Sequence, residues 1–344
     1  MNKICGIPFS EIRLYPHPYN TNRLTLMCCC PSWLDVPYNE FTHCVPETPS
    51  GHLKIDEVWN SERMIKLRKS VVEGTYTFCK LDRCASYISN DIIPPPKRAL
   101  ELIEKGIYEM DYPPITIHSA IDRACNLRCP TCRLRLNPLP NVKTENWLES
   151  ILKSGIECIN FNGSGEAFKN PYFLGFMINF KKENFPNLKK VDIITNGTLL
   201  NYVMWMSLSD DFKSILDTIM VSVDAATEST YKKVRLGGNF QTVFKNLKFL
   251  GNLRRKGEIK KLSLAFVIQK INRHELYDFS KMAIEIGATS VSATRVEDWS
   301  HYTLGEFYER FELPESYLST YKEDFLKIKD LLKKEGLSFY SNLE

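Results

Sequence analysis

Three closely spaced cysteines are the residues of this 344-residue chain that most clearly predict chemistry. Cys125, Cys129 and Cys132 lie in one short loop after a predicted strand at residues 115–121. Three thiolates at this spacing can hold three corners of a [4Fe–4S] cluster. One iron then has no protein ligand, and a small molecule can bind there and receive an electron. The alternative is a zinc site, but zinc sites usually combine two C-x-x-C pairs, often with histidine, and no second pair lies nearby.

The residues between these cysteines, Asn126-Leu127 and Pro130, make the loop resemble the signature of the radical S-adenosylmethionine (SAM) enzymes. The resemblance implies that the open iron binds the amino and carboxylate groups of SAM. It also implies that SAM is reductively cleaved to a 5′-deoxyadenosyl radical, which abstracts hydrogen from a substrate. An external one-electron donor of the flavodoxin or ferredoxin type is then expected. We therefore expect an enzyme, with its class (oxidoreductase, lyase or epimerase) left open.

Strands and helices alternate from residue 115 onward, which predicts an α/β fold with a parallel sheet. The predicted strands are residues 115–121, 157–163, 190–195, 217–223, 261–268 and 290–295. The predicted helices are residues 144–153, 199–209, 228–255 with a break at Gly237-Gly238, and 274–286. Six such units fit the partial (β/α)6, TIM-like barrel of the radical SAM family. In these sheets the chemistry collects at the carboxyl ends of the strands.

A glycine-rich turn follows the second predicted strand of the barrel. Gly163, Ser164, Gly165 and Glu166 resemble the family's "GGEP" motif, which binds the amino group of SAM. Ser164 stands where the family has a glycine, and Ala167 stands where it has a proline. A glycine-rich turn alone would be weak evidence, but its place in the barrel predicts a cofactor-binding turn.

Polar residues at the next two strand ends complete the expected SAM site. Asn196 lies in an Asn-Gly-Thr turn that the family places close to SAM, although ordinary turn and helix-cap chemistry explains it equally well. Ser222 and Asp224 form an "SxD" pair that in the family points toward the SAM ribose or carboxylate. Arg235 precedes a Gly-Gly pair, as does the arginine that binds the SAM carboxylate in relatives; a surface cation is the alternative.

The first 90 residues hold seven of the eleven cysteines, namely Cys5, Cys28, Cys29, Cys30, Cys44, Cys79 and Cys84. The segment resembles the SPASM/twitch type of auxiliary-cluster domain, because it has a Cys before a Pro, a Cys-Cys-Pro after a hairpin, a Trp-Asn-Ser helix and a terminal Cys pair. The resemblance implies a second, auxiliary [4Fe–4S] cluster, and our ligand set is Cys5, Cys29, Cys79 and Cys84. Cys28 or Cys30 could replace Cys29, since adjacent side chains of an extended chain point to opposite sides. Cys44 is as consistent with a buried apolar residue as with a ligand.

Four segments follow from these patterns. We expect an auxiliary-cluster domain at residues 1–93, in which Ser61 is the N-cap of a helix. We also expect a linker helix at 94–112, with helical residues from Lys97 to Glu109, the radical SAM barrel at 113–300 and a helical segment at 301–344. The cysteine-rich domain therefore precedes the barrel. In most relatives it follows the barrel.

Composition excludes several other classes of protein. The formal net charge of +4 is too small for this length to predict a nucleic-acid or membrane partner. No stretch of about 18 apolar residues predicts a membrane span, and the N-terminus lacks the apolar core of a signal peptide. The cysteines are therefore better interpreted as metal ligands than as disulfides, and we expect a cytoplasmic, reducing environment.

The substrate is left with two classes. The SPASM resemblance favours a peptide that is cross-linked or epimerised, as in ribosomal peptide modification. Oxidation, dehydration or epimerisation of a sugar, an aminocyclitol or another polar small molecule is the alternative. A non-catalytic iron–sulfur electron carrier would explain the cysteines but not the SAM-binding motifs. No catalytic residue or hydrogen donor can be singled out, and Cys158 is expected to be a core residue.

Overall fold

A computed structural model describes residues 4–16, 24–29, 34, 43–44, 50–82, 84–88, 92–121, 124–132, 144–161, 165–297, 302–311, 313 and 315–342. The chain divides into two compact units. The first comprises residues 1–123, 138–164 and 181–191, and the second comprises residues 124–137, 165–180 and 192–344. Among the described residues, no helix is both long enough and apolar enough to span a bilayer.

The first unit is built on a mixed sheet. Its strands are β1 (Glu11–Pro16), β2 (Leu24–Met27), β3 (His43–Cys44), β4 (Thr116–Ser119) and β5 (Cys158–Phe161). They lie in the order β3-β2-β1-β4-β5. Strands β1, β4 and β5 are parallel to one another, and β2 is antiparallel to both β1 and β3. Ile12, Ile117 and Ile159 are direct neighbours across three strands and are fully buried. This apolar row explains why the N-terminal strand joins the parallel strands at this register.

Helices of the first unit are short. They are α1 (Ile7–Ser10), α2 (Ile55–Trp59), α3 (Glu62–Val72), α4 (Ala85–Ile88), α5 (Lys97–Ile103) and α6 (Thr144–Lys153). The predicted N-cap of α3 is confirmed, because the Ser61 side chain accepts a hydrogen bond from the Met64 N–H. The helix expected from Lys97 to Glu109 ends at Ile103 instead. Gly106 follows in a left-handed conformation with φ +72°, which α-helical backbone cannot continue through.

The second unit alternates strands and helices. Its strands are β6 (Lys190–Thr195, of which residues 192–195 belong to this unit), β7 (Leu216–Ser222), β8 (Lys261–Ile268), β9 (Ser290–Arg295) and β10 (Ser338–Ser341). They lie in that order, and β7 to β10 are parallel. Val221, Leu264 and Val291 form a fully buried row across β7, β8 and β9.

Eight helices of the second unit are described: α7 (Pro171–Asn179), α8 (Tyr202–Ser207), α9 (Asp210–Ile215), α10 (Glu228–Val234), α11 (Phe240–Arg255), α12 (Leu276–Ile286), α13 (Leu304–Arg310) and α14 (Glu315–Lys334). The predicted break at Gly237-Gly238 is confirmed between α10 and α11. The C-terminal segment was expected to be helical, but β10 follows α14. Strand β10 pairs in parallel with β9, and this pairing depends on a strand more than 40 positions away in the sequence.

Close contact between α11 and α12 predicts a strong effect of one methyl group. A Cβ at Gly251 would lie 1.9 Å from the Ile286 carbonyl oxygen, so Gly251→Ala must push the two helices apart. We expect a loss of about 2 kcal/mol or more in the free energy of unfolding, measured by urea denaturation. Gly175→Ala in α7 is the matched control, since no neighbouring atom of the described residues lies within 4 Å of its added Cβ. It should stabilise the chain by about 0.5 kcal/mol, and equal losses in both variants would contradict the argument.

Candidate functional site

The three-cysteine loop is fixed by backbone hydrogen bonds in the second unit. The Arg128 N–H donates to the Leu236 carbonyl (2.9 Å), and the Cys132 N–H donates to the Cys129 carbonyl (3.1 Å). The Tyr302 hydroxyl donates to the Pro130 carbonyl (3.0 Å). These bonds fix the middle and the C-terminal half of a loop that contains no helix or strand. Its N-terminal end is fixed by the Glu166 N–H, which donates to the Ala124 carbonyl (2.7 Å).

The thiols themselves lie at the surface of this unit and receive hydrogen bonds. Cys125 is exposed, and Cys129 and Cys132 are half-buried. The Leu127 N–H and the Asn196 side-chain amide both donate to the Cys125 Sγ, at 3.4 and 3.8 Å. Although Cys125 is exposed as a whole residue, partial desolvation of its sulfur raises the pKa of the thiol to about 11, and burial also raises the pKa of Cys129. Without a cation the Cys125 and Cys129 thiols keep their protons at neutral pH, so metal binding must release these protons.

An amide network joins the cysteine loop to the turn after β6. The Asn196 side-chain amide donates to the Asn126 Oδ1 (2.9 Å), and the Asn126 amide donates to the Thr198 Oγ1 (2.7 Å). Gly197 has a left-handed φ of +74°, and a Cβ there would lie 2.7 Å from a methyl group of Val221. The network therefore places Asn196 beside Cys125, and only glycine fits the position that follows it.

Glu166 fixes the same turn from the other side. Its carboxylate accepts hydrogen bonds from the Thr195 hydroxyl (2.6 Å), the Asn196 N–H (2.7 Å) and the Phe168 N–H (3.3 Å). Burial raises the pKa of this carboxyl, and the three donors act in the opposite direction by stabilising the anion. Both oxygens thus have protein partners, and Glu166 holds the Asn196 turn against the cysteine loop.

Asp224 and Arg235 form a buried ion pair at the end of β7. The Arg235 Nη2 lies 2.6 Å from the Asp224 Oδ2, and the Arg235 Nη1 donates to the Cys129 Sγ at 3.7 Å. The second Asp224 oxygen accepts a hydrogen bond from the Val267 N–H (2.8 Å). Ser222 is the half-buried last residue of β7. The contact between Arg235 and Cys129 was not expected from the sequence.

Six predicted site residues of the second unit are therefore near one another or near the loop: Cys125, Cys129, Glu166, Asn196, Asp224 and Arg235. Cys132 is linked to this group through the backbone bond to Cys129. Gly165, which has no side chain, directly precedes Glu166. Gly163 and Ser164 lie outside the described residues. Contact with SAM stays a prediction for all the proposed cofactor-binding residues.

Two residues of this site were missed by sequence reasoning. Asn126 links the three-cysteine loop to Asn196 by a hydrogen bond. A single sequence does not indicate this partner. Tyr231 is completely buried, and its hydroxyl has no hydrogen-bond partner among the residues that the structure describes; the Arg235 Nε is in the same state. Buried donors without partners are rare in native proteins and often mark the place of a bound group.

The first unit contains a separate cysteine-lined pocket. Its walls include the thiols of Cys5, Cys28, Cys29, Cys79 and Cys84, and its other lining residues are mainly apolar, such as Ile7, Leu34, Leu67 and Val71. Burial raises the pKa of Cys5 to about 11 and that of Cys79 to about 12, and each of these thiols also interacts electrostatically with Cys29 and Cys84. Cys30 and the Cys44 side chain lie outside the described residues.

Cys28 differs from Cys29 in its surroundings. Cys28 is buried, and it interacts electrostatically with the buried guanidinium of Arg68. Among the described residues, no group of three or more His, Cys, Asp or Glu side chains is arranged to hold a single metal ion. Cys158 starts β5 and is buried, in agreement with its prediction as a core residue.

Comparison with known proteins gives one family. Residues 119–283 match the family model described as the radical SAM superfamily. No curated protein sequence matches the chain. The family match supports the prediction that the chain is an enzyme.

Solved structures share the fold at low sequence identity. Streptococcus suis SuiB bound to S-adenosylmethionine has a TM-score of 0.52 and 16% identity, over 83% of this chain and 62% of SuiB. SuiB bound to its precursor peptide SuiA has a TM-score of 0.50 and 15% identity, over 98% of this chain and 72% of SuiB. Native anSMEcpe with bound AdoMet has a TM-score of 0.48 and 17% identity, over 65% of this chain and 63% of anSMEcpe. In the first of these matches the chain spans less than two thirds of the length of SuiB. The mostly parallel strands of the two units agree with a radical SAM partial barrel.

Proposed function

We propose that this chain, which contains a radical SAM domain at residues 119–283, binds a [4Fe–4S] cluster through Cys125, Cys129 and Cys132, cleaves SAM and abstracts hydrogen from a peptide substrate. The observation that carries the proposal is the cysteine loop. It presents three thiols from one segment, and hydrogen-bond donors from two other segments converge on it.

The residues present fit such a cluster. Three thiols can ligate three irons, and N–H donors to the Cys125 and Cys129 sulfurs stabilise thiolates over thiols. The Tyr231 hydroxyl and the Arg235 Nε are buried donors without a partner among the described residues. A cluster with its bound cofactor offers the acceptors that these two donors lack.

Each residue of the site then has a definable task. Cys125, Cys129 and Cys132 would hold the cluster. The bound cluster and SAM would supply the one-electron reduction and the hydrogen abstraction. Asn196 donates to the Cys125 sulfur, and Glu166 holds the turn from which it does so. Ser222 ends β7. Together with Gly163, Ser164, Gly165 and Asp224, it is proposed to contact SAM.

The auxiliary [4Fe–4S] cluster is the second part of the proposal. Cys5, Cys29, Cys79 and Cys84 border one pocket, and the electrostatic interactions of Cys5 and Cys79 include those with Cys29 and Cys84. Cys28 borders the pocket too, but both Cys5 and Cys79 interact with Cys29, which favours Cys29 as the ligand. With four thiolate ligands this cluster would transfer electrons or stabilise the segment, because no iron is left open.

A peptide substrate is favoured over a small polar molecule by one finding. One structure that aligns over 98% of this chain is SuiB bound to precursor peptide SuiA. The fold of this chain is therefore compatible with that of a protein which binds a peptide. Cross-linking and epimerisation of a residue remain two outcomes of the same hydrogen abstraction, and an external one-electron donor is part of the proposal.

The test uses the reconstituted wild-type chain under anaerobic conditions. SAM should change the electron paramagnetic resonance (EPR) signal of one cluster only, and dithionite should then drive formation of 5′-deoxyadenosine. An unchanged spectrum with no deoxyadenosine would identify an electron carrier instead. A library of synthetic peptides and a panel of monosaccharides and aminocyclitols can then be compared for stimulation of deoxyadenosine formation. Stimulation by the sugars alone would overturn the peptide proposal but not SAM cleavage.

A further inference from the structure

We propose that Arg235, held in place by Asp224, is a positioning residue that makes the cluster on the three-cysteine loop easier to reduce by donating a hydrogen bond to Cys129. The inference rests on the proposed cluster and goes beyond it, because the resemblance to the family assigns Arg235 only to the SAM carboxylate. It concerns the ground state of the cluster before SAM is present.

The guanidinium of Arg235 lies between a carboxylate and a cluster ligand. Its Nη2 is 2.6 Å from the Asp224 Oδ2, and its Nη1 is 3.7 Å from the Cys129 Sγ. The two side chains are only 13% and 4% exposed. Arg235 is the C-cap residue of α10, and its backbone N–H also donates to the Tyr231 carbonyl at 2.8 Å. Both the backbone and the guanidinium of Arg235 are therefore fixed.

Asp224 is held in the orientation that this arrangement requires. It adopts a left-handed φ of +60°, which costs a residue with a Cβ on the order of 1 kcal/mol. Its backbone carbonyl accepts from the Asn272 side-chain amide (3.0 Å), and its Oδ1 accepts from the Val267 N–H (2.8 Å). These two contacts orient the remaining carboxylate oxygen toward Arg235, and the carboxylate cannot rotate away without losing the bond from Val267.

Electrostatics gives the sign of the effect. Reduction adds one electron to the cluster, and a buried positive charge with a hydrogen bond to a ligand sulfur stabilises that added charge. Asp224 weakens the effect because it is an anion, but it binds the Nη2 of the guanidinium, whereas the Nη1 contacts the Cys129 sulfur directly. If Arg235 becomes neutral, the Asp224 carboxylate is left without its cation, so the reduced cluster is destabilised by both changes.

The test is a redox titration of the holoenzyme without SAM, followed by EPR. The signal of interest is the component absent from the Cys125, Cys129, Cys132→Ala variant. In Arg235→Gln, the ratio of reduced to oxidised cluster at a fixed potential should fall about tenfold, equivalent to 59 mV for a one-electron couple. The matched control is Lys233→Gln, which removes an exposed charge from the same helix and should leave the ratio unchanged.

Several outcomes decide the proposal. An unchanged ratio in Arg235→Gln, with or without weaker SAM binding by equilibrium dialysis, would overturn it and leave Arg235 as a SAM ligand at most. If Arg235→Gln does not load iron, Arg235→Lys is titrated in its place. A ratio of reduced to oxidised cluster that falls below the wild-type ratio by less than tenfold supports the proposal. An unchanged ratio overturns it. A wild-type chain without any component that SAM perturbs would instead contradict the proposed function.

Discussion

Replacement of Cys125, Cys129 and Cys132 together by alanine is expected to halve the iron content, from about eight to about four atoms per chain, and to abolish 5′-deoxyadenosine formation. The three thiols come from a single loop, and no other cysteine thiol among the described residues donates or accepts a hydrogen bond with that loop. Among the described residues, no other cysteine is therefore placed to replace them. Iron analysis and chromatography of the products after anaerobic reconstitution with dithionite and SAM measure both quantities.

The control for this prediction is Cys158→Ala, which removes a buried thiol at the start of β5. It should keep both the iron and the SAM cleavage, because a core cysteine contributes packing only. Retention of about eight irons in the triple variant would show that the loop is not a cluster site. A wild-type chain with about eight irons and no deoxyadenosine would favour an electron carrier.

Regular elements of this fold could be predicted from the sequence because their signals are local. The strands at 190–195, 261–268 and 290–295 have the predicted bounds, and α11 begins just after the predicted Gly237-Gly238 break. Ser61 caps α3 as its position before an apolar stripe predicts. In each case the deciding residues lie within a few positions of the element that they define.

The hydrogen-bond partners in the site could not be predicted in the same way. Asn126 and Asn196 are 70 positions apart, and Cys129 and Arg235 are 106 positions apart, so no periodicity links them. The types of these residues indicate that they are polar and near strand ends. Which atom each one contacts depends on how the loops after the strands pack, and that information lies in tertiary structure. The β9–β10 pairing has the same origin, because the strand propensity of four residues is weak without a neighbouring strand.

Replacement of Cys79 and Cys84 together by alanine is the counterpart of the first prediction. We expect about four irons to be lost and the SAM cleavage to persist, since the remaining cluster is held by the other unit of the chain. Both cysteines border the pocket that Cys5 and Cys29 also line, and removal of two of four ligands leaves a cluster without enough thiolates. Deoxyadenosine formed with dithionite, in the absence of substrate, separates this effect from any role of the auxiliary cluster in substrate oxidation.

The sharpest part of this experiment is the comparison of two adjacent cysteines. Cys29→Ala should lose the same iron as the double variant, whereas Cys28→Ala should keep about eight atoms per chain. The reason is that Cys5 and Cys79 both interact electrostatically with Cys29, while Cys28 is almost completely buried. Loss of iron in Cys28→Ala and not in Cys29→Ala would exchange the two roles. Unchanged iron in the Cys79, Cys84→Ala variant would contradict an auxiliary cluster in this pocket and would leave the SAM chemistry of the three-cysteine loop unaffected.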